Sequence, residues 1–225
     1  DGGWNFGPSA EANVPVQVDL FERLPAPFGL VRFGVAPDHP KIKSVDRVLE
    51  KTAARPSFRF LGNVKLGRDL SVEELRALYH QVVYATGSEA DRRLGVPGEG
   101  IPGSTPATVF VGWYNGHPDY RPAQIRLSAA RAAVVGNGNA AVDVTRILLR
   151  TPAELAATDM PGYAREALAA SRVREVWLLG RRGPAQAAFT PKELEELVGL
   201  DDTDVRVDPS ELAIDPAREG ETALS

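Results

Sequence analysis

The chain has 225 residues, of which 43% are hydrophobic and 25% charged, and its formal net charge is −4 at pH 7. These values are typical of a soluble globular protein. There is no basic face for nucleic acid, no apolar run near the roughly 20 residues that span a bilayer, and no signal peptide pattern, so the sequence predicts a cytoplasmic protein. The absence of cysteine excludes disulfides, cysteine-ligated iron–sulfur clusters and a Cys-x-x-Cys redox centre, so any electron carrier must be a bound organic cofactor.

The first 66 residues predict two strands around a helix. Residues 16–21 alternate apolar and polar side chains, as a strand does. Residues 25–40 contain four prolines and two glycines, which predicts an ordered loop without regular secondary structure. Residues 41–54 have apolar side chains at helical spacing, and residues 58–66 resemble a strand broken by a Gly-Asn turn.

The middle of the chain predicts a short helix, a short strand and then a boundary. Ser71 and Glu74 have the spacing of a capping box, so a helix should run from there to about Tyr79. Residues 82–85 are apolar and predict a short buried strand. Residues 95–122 are rich in glycine and proline, which favours a domain boundary in this stretch.

The second half alternates strands and helices over short connections. Residues 132–135 predict a central parallel strand, 139–150 a helix, 152–171 a further helical stretch and 173–179 a strand. Thr190-Pro191-Lys192-Glu193 is a second capping-box sequence, with proline at the first helical position. This alternation predicts an α/β fold with a parallel sheet.

A glycine-rich motif stands between the predicted strand 132–135 and the helix after it. The motif is Gly-x-Gly-x-x-Ala, from Gly136 to Ala141. Gly136 allows the tight turn, Gly138 lets a pyrophosphate approach the backbone, and Ala141 keeps helix and strand close. The helix N-terminus adds free N–H groups and a partial positive charge. The alternative is a tight turn with no ligand.

Two arginines follow the next strand. Arg181 and Arg182 stand where an acidic residue would hold the ribose of NAD, and arginine there suits the 2′-phosphate of NADP. Guanidinium groups bind phosphate in a bidentate way. The alternative is a solvated basic pair at a strand end.

An acidic residue also follows the first strand. Glu22 comes just past residues 16–21, where a carboxylate would hold the ribose of FAD; the alternative is a surface carboxylate. The glycine turn that should precede that strand is not found. Gly7-Pro8-Ser9-Ala10 follows no strand, and it lies too close to residue 18 for a crossover of at least about 10–12 residues.

Several fixed strings resemble one family over about residues 16–196. Phe21–Pro25 and Pro27–Pro40 resemble the adrenodoxin reductase family, which includes bacterial NADPH–ferredoxin reductases. Further matching strings in the same order are Gly62–Val64, Gly67–Asp69, Ala85–Gly87, Val111–Gly116, Gly136–Asp143, Gly180–Pro184 and Phe189–Glu193.

The resemblance implies an enzyme that takes a hydride from NADPH onto FAD and passes electrons singly to a ferredoxin-type iron–sulfur protein. It implies two Rossmann-like dinucleotide-binding domains, both incomplete here. Residues 1–98 would form a partial FAD-binding domain, and residues 99–225 a partial NADP-binding domain.

The resemblance also implies roles for individual residues. Contacts to FAD fall on Glu22, Leu30 and Leu66. Contacts to NADP fall on Gly136, Asn137, Gly138, Asn139, Ala140, Arg181, Arg182 and Glu193. Glu193 would lie near the ribose or nicotinamide end, or it would instead complete the capping box of Thr190. His39 and Asp143 match residues near the meeting point of flavin and nicotinamide, with loop hydrogen bonding and a helix first-turn charge as the alternatives.

The chain departs from the family at both ends. The glycine turn for FAD is absent or altered before residue 14, and family members are roughly twice as long. We therefore expect a fragment that holds FAD poorly or not at all. Two alternatives are a reductase like the small subunit of glutamate synthase, whose clusters the lack of cysteine disfavours, and a truncated, non-catalytic product that at most binds NADP(H).

Overall fold

The computed structural model describes residues 15–88, 90–181 and 183–212. The chain divides into two compact units: unit 1 comprises Asp1–Gly29 and Ser44–Thr86, and unit 2 comprises Leu30–Lys43 and Gly87–Ser225. The assignment of residues 1–98 and 99–225 to two cofactor domains stays a prediction. No helix among the described residues combines the length and the apolar character needed to cross a bilayer.

Helices and strands alternate along the described chain. In order they are β1 (Val18–Glu22), α1 (Gly29–Phe33), α2 (Pro40–Lys43), α3 (Asp46–Ala53), β2 (Phe58–Gly62), α4 (Val72–Leu78), α5 (Ala107–Tyr114), β3 (Arg131–Val135), α6 (Asn139–Leu149), α7 (Pro152–Ala156), α8 (Gly162–Ala169), β4 (Glu175–Leu179) and α9 (Pro191–Val198). The strands pair in parallel, β1 with β2 and β3 with β4. The predicted α/β class with parallel strands is confirmed.

Unit 1 contains the first parallel pair. The register runs from Val18 opposite Phe58 to Glu22 opposite Gly62, so Glu22 is the last residue of β1 rather than the residue just past it. The turn after β2 is confirmed by Asn63, whose φ of 61° is left-handed. The capping box of α4 is confirmed in both directions between Ser71 and Glu74.

The prediction of an irregular loop over residues 25–40 is wrong in part. The stretch contains the short helix α1. At its end the N–H groups of Gly34 and Val35 each donate to the Leu30 carbonyl at 2.8 Å. The helix predicted over 41–54 is divided into α2 and α3. The prolines and glycines of residues 25–40 thus did not prevent a helix from forming there.

The short buried strand predicted at residues 82–85 is also wrong. The structure assigns no strand there, and Val83 and Tyr84 are 74% and 55% exposed. A strand needs a partner for its N–H and C=O groups. Among the described residues no strand pairs with this segment, so its apolar composition alone does not make it a strand.

Unit 2 is built around β3, β4 and α6, all three of which were predicted. The stretch over 152–171 forms two helices, α7 and α8. The glycine- and proline-rich stretch over 95–122 contains α5, which was not predicted and which is largely buried. The main core cluster consists of Phe110, Trp113, Tyr114, Val144, Ile147, Leu155, Met160, Ala164 and Leu168.

The β3–β4 pair has one covered face and one open face. On the open face Val135, Trp177 and Leu179 are 61%, 57% and 43% exposed. The predicted parallel strand over residues 132–135 is confirmed, but among the described residues β3 pairs only with β4, so its central place in a sheet stays a prediction. The same register brings the carboxyl ends of both strands to one edge, with Val135 opposite Leu179.

Candidate functional site

The glycine motif forms the turn from β3 into α6. The Gly136 N–H donates to the Leu179 carbonyl at 3.0 Å, which ties the turn to the end of β4. A methyl group placed on Gly136 would lie 3.0 Å from Ala141 Cβ, whereas one placed on Gly138 would have no atom within 4 Å. The structure therefore has the close helix–strand packing and the bare backbone that the motif predicts.

The N-terminus of α6 offers unpaired donors at this bare position. Gly138 is the N-cap, and its carbonyl accepts from the N–H groups of Ala141 and Val142 at 2.9 and 3.2 Å. For the N–H groups of Asn139 and Ala140 no acceptor is present in the described part of the chain. The first turn of α6 carries no acidic side chain, so its partial positive charge is not neutralised from within the helix.

The segment before α9 lies against the same turn. The Asn137 carbonyl accepts from the Ala188 N–H at 2.7 Å, and Gly138 and Ala188 form a parallel bridge. The Asn139 side chain accepts from the Thr190 N–H at 2.9 Å. The Asn139 side chain thus joins the starts of α6 and α9, which leaves its backbone N–H as the group that can meet a ligand.

Arg181 lies at the edge of the sheet that carries the turn. It is exposed and stands two residues after the end of β4. The intervening Gly180 lies against the turn, because a methyl group placed on it would be 3.1 Å from Asn137 Cγ. Arg182, the second predicted phosphate ligand, lies outside the described residues.

A second group of candidate site residues surrounds a buried arginine on α6. We call it the Arg146 cluster, and its members are Asp38, His39, Asp143, Arg146, Glu193 and Glu196. The Arg146 side chain is fully buried. Its Nε donates to Asp38 at 2.6 Å, Nη2 donates to Asp143 at 2.6 Å, and Nη1 donates to Glu193 at 3.2 Å.

The same cluster contains His39, held between two partners. Its Nε2 lies 2.6 Å from Glu196 Oε2 and 2.9 Å from Arg146 Nη2. Three predicted site residues, His39, Asp143 and Glu193, are therefore brought together. Helix α6 connects them to the glycine turn, and so does α9, whose start is bonded to Asn139. A role for each in the reaction stays a prediction.

Arg146 and Glu196 are site residues that were not predicted from the sequence. One signal was available for Arg146. It lies four residues after Val142 and three before Leu149, on the same face of a predicted helix, where a charged residue has to be paired if the face is buried. No comparable signal marks Glu196, which is one of several acidic residues on α9.

Burial and pairing have opposite effects on the acids of the cluster. Burial acts to raise the pKa of Asp38, but hydrogen bonds and charge from Arg146, and then Arg150, outweigh it and lower that pKa. At Glu196 burial again acts to raise the pKa. The hydrogen bond and charge of His39, together with the charge of Arg146, outweigh burial and lower that pKa. At Asp143 burial prevails over the Arg146 contacts, so its pKa is raised.

Glu193 does not complete a capping box. The Thr190 hydroxyl accepts from the Glu193 N–H at 3.4 Å, which caps α9. The reciprocal bond is absent between these two described residues, because the Thr190 N–H donates to Asn139 and the Glu193 carboxylate accepts from Arg146. The capping alternative for the Glu193 side chain is therefore wrong.

The possible metal ligands of this cluster are already paired with a cation. Oxygen and nitrogen atoms of His39, Glu193 and Glu196 lie within 4.8 Å of one another. The Arg146 guanidinium lies 2.9 Å from the histidine nitrogen and 3.2 Å from Glu193. Its permanent positive charge would repel a bound metal ion.

The residues predicted to contact FAD are divided between the two units. In unit 1, Glu22 accepts from the Leu24 N–H at 3.0 Å through Oε1, and Leu66 is 39% exposed. Leu30, in unit 2, is 76% exposed on α1. The described part of unit 1 contains no glycine turn before β1, and the Gly7–Ala10 string considered for that turn lies outside the described residues.

Comparison with known proteins places the chain beside reductases of about twice its length. No protein-family model matches it. It is 54% identical over 200 residues to the NADPH-ferredoxin reductase FprA of Mycobacterium tuberculosis, covering 89% of this chain and 44% of the relative. It is 50% identical over 192 residues to the mitochondrial NADPH:adrenodoxin oxidoreductase of Homo sapiens, covering 85% and 39%. The resemblance noted from the sequence is confirmed.

A solved structure shows the same similarity in three dimensions. The structure of Mycobacterium tuberculosis FprA in complex with NADPH aligns with a TM-score of 0.85 at 55% identity, covering 87% of this chain and 43% of that one. The chain thus spans less than half the length of the relatives it matches.

Proposed function

We propose that this chain provides the NADPH-binding part of an FAD-dependent reductase that delivers electrons to a ferredoxin-type iron–sulfur protein. The observation that carries the proposal is the bare main chain at Gly138, next to two N–H groups at the N-terminus of α6 that have no acceptor among the described residues. The named NADPH-ferredoxin and NADPH:adrenodoxin reductases among its relatives support it. In this proposal the two units are parts of two Rossmann-like domains, one for each cofactor.

The diphosphate of NADPH would lie over the turn at Gly136–Gly138. The N–H groups of Asn139 and Ala140 would donate to its oxygens, and the helix dipole would add to that attraction. Because Gly138 has no side chain, the phosphates can approach within hydrogen-bonding distance of the backbone.

Selection of NADPH over NADH would come from the arginines after β4. Arg181 stands at the edge of the sheet where the adenosine ribose lies in this type of unit. A charge-assisted hydrogen bond contributes about 1.5–3 kcal/mol, and about 1.4 kcal/mol corresponds to a factor of ten in affinity. One arginine would therefore favour NADPH by about tenfold or more, and Arg182 would increase that preference.

The Arg146 cluster would lie toward the nicotinamide. Helix α6 links the two places, since each residue advances about 1.5 Å along a helix axis, and Asp143 is one turn beyond Asn139. His39, Asp143 and Glu193 would orient the nicotinamide end and keep water from it. Hydride transfer between stacked rings needs no acid or base from the protein, so these groups would contribute orientation and electrostatics.

The FAD part of the proposal is limited to one contact. FAD, when bound, accepts the hydride of NADPH and releases its electrons one at a time. Glu22, at the carboxyl end of β1, would hold the ribose of FAD through the carboxylate oxygen that does not accept from Leu24. Glu22 is the single FAD contact proposed here for the described residues of unit 1, and we expect so limited a contact to retain FAD weakly.

Calorimetric titration of the chain with NADPH and NADH tests the proposal. We expect NADPH to bind at least about tenfold more tightly than NADH. Arg181→Ala should reduce that preference, whereas Arg131→Ala, at the opposite end of β3, should not change it. Equal affinities for the two nucleotides, or no binding of either, would contradict the NADPH assignment.

A second measurement addresses the flavin. Chain that is reconstituted with FAD and then desalted should retain less than one equivalent of flavin, which its absorbance measures. Stable binding of one FAD per chain would contradict the limited FAD site described for unit 1.

A further inference from the structure

The open face of the β3–β4 pair, within unit 2, presents three side chains from each strand. In a parallel pair the residues that lie opposite each other point to the same side of the sheet. The opposite residues on this face are Arg131 with Glu175, Ala133 with Trp177, and Val135 with Leu179. All six are exposed. Each strand therefore presents a charged residue at its start and an aliphatic residue at its end.

The polar atoms at the charged end are paired with one another. The Glu175 carboxylate accepts from Arg131 Nε at 3.0 Å and from Trp177 Nε1 at 2.6 Å. The indole N–H thus has its acceptor, and the Trp177 ring, which is 57% exposed, offers apolar surface. Because parallel sheets are normally covered on both faces, this face suits a partner that is apolar in the middle and charged at one end.

We propose that the partner is the same face of a second copy of this chain. Two sheets stack about 10 Å apart with their strand directions within about 30° of each other. A twofold axis that runs along the strands, midway between the two sheets, places β3 of each copy over β4 of the other. The same surface then contacts itself, as in the interface of a C2 dimer.

This arrangement brings complementary residues together at each level of the face. Arg131 faces Glu175 of the second copy, so opposite charges meet. Ala133 faces Trp177 of the second copy, so a small side chain leaves room for a large one. A twofold axis across the strands would instead place the charged end over the aliphatic end and Trp177 over Trp177. Charge and size therefore both favour the axis along the strands.

The size of the face predicts a weak dimer. Two strands of five residues form a face about 17 Å long and about 10 Å wide. Such a contact buries less than the roughly 1,200–2,000 Å² of a stable complex. The dimer should therefore form at high concentration and dissociate on dilution, which leaves the face exposed in dilute solution.

Sedimentation equilibrium of the chain tests the proposal without any cofactor. Between about 1 µM and about 1 mM, the mean mass should rise from 24.2 kDa toward twice that value. Arg131→Glu and Glu175→Arg should each weaken association by about tenfold, because like charges then face each other across the interface. The matched control is Arg165→Glu, on α8, which packs in the core on the covered side of the sheet. It should associate like the wild-type chain.

An equimolar mixture of the two interface variants separates contact between copies from an effect within one chain. In the mixed dimer each reversed charge meets an opposite charge on the other copy, although the ion pair within each chain stays broken. The mixture should therefore regain the association that each variant lacks alone. Ala133→Trp, which keeps the ion pair but overfills the space opposite Trp177, should also prevent association.

Three results would each overturn the proposal. The first is a chain that stays monomeric up to about 1 mM, which would leave the face to a different polypeptide. The second is a mixture that associates no better than either variant alone, and the third is wild-type association in Ala133→Trp. Failure of NADPH to bind would count against the proposed function alone, because the mass is measured without nucleotide.

Discussion

At the scale of single residues, the two glycines of the turn into α6 should behave differently. At Gly138 the structure has room for a side chain, so Gly138→Val should leave thermal stability nearly unchanged. The same side chain would stand where a diphosphate approaches, so binding of both NADPH and NADH should fall by at least about tenfold. Calorimetry and the Tm of the variant measure the two effects.

Gly136→Val provides the matched control. Its side chain would meet Ala141, whose Cβ would lie 3.0 Å from an added methyl group, and overpacking of this kind costs about 1–3 kcal/mol. We expect the Tm to fall in this variant. A stable Gly138→Val chain that still binds NADPH would contradict the role of the bare backbone.

Asp19 predicts a pH-dependent contribution to the stability of unit 1. Hydrogen bonds from Arg59 and then Tyr79 lower its pKa from 3.8 to about 2. Because the pKa is lower in the folded state, the stabilisation is fully present above the unfolded value and is lost as the pH falls from about 4 to about 2.

Asp19→Asn should therefore reduce the free energy of unfolding at neutral pH, and the difference from the wild-type chain should shrink toward about pH 2. Urea unfolding across this range measures the difference. A difference that does not vary with pH would show that the carboxylate charge contributes nothing.

The residues that could be predicted from the sequence were those in a local pattern. Gly136, Gly138 and Ala141 lie in a short string whose spacing reflects a turn, and the structure places them as expected. The pairing of Arg146 and Glu196 with His39 could not be predicted in this way, because His39 is more than 100 positions away from both along the chain. Contacts of that range depend on packing and leave no periodic signal.

At the scale of elements, the same distinction explains which strands and helices could be predicted. Helix α4 has a capping box and forms where expected. Strands β3 and β4 have apolar runs that pair with each other, and they also form where expected. Residues 82–85 have the apolar run without a partner and form no strand. Helix α5 was missed because the glycines and prolines around it suggested a loop, while its burial by neighbouring helices stabilises it.

Helix α5 also provides a test of packing against propensity. Alanine favours a helix interior over glycine by about 1 kcal/mol, but a methyl group on Gly112 would overlap the Tyr120 ring. Since such overpacking costs about 1–3 kcal/mol, Gly112→Ala should lower the free energy of unfolding.

Gly162→Ala, at the start of α8, is the control for this prediction. A methyl group there meets no atom within 4 Å, so the substitution should stabilise by about 0.4–1 kcal/mol. Chemical denaturation of both variants gives the comparison. Stabilisation by Gly112→Ala would mean that Tyr120 moves aside at little cost.

At the scale of the whole molecule, the open face of the β3–β4 pair is the unusual feature. Parallel sheets are normally covered on both faces, yet Val135, Trp177 and Leu179 are exposed here. Apolar surface of this kind binds hydrophobic dyes such as ANS. Trp177→Thr should reduce dye fluorescence without a large change in Tm, and unchanged fluorescence would mean that the dye binds elsewhere.

The burial of Arg146 also limits how this protein can vary through evolution. Loss of either partner from a buried ion pair lowers the free energy of unfolding by about 3–5 kcal/mol, because the other charge stays buried without a partner. Since Arg146 is paired with Asp38, Asp143 and Glu193 at once, a lineage could replace it only together with some of these acids. Homologous sequences should therefore show positions 38, 143, 146 and 193 changing jointly, a covariation signal that joins segments far apart in the gene.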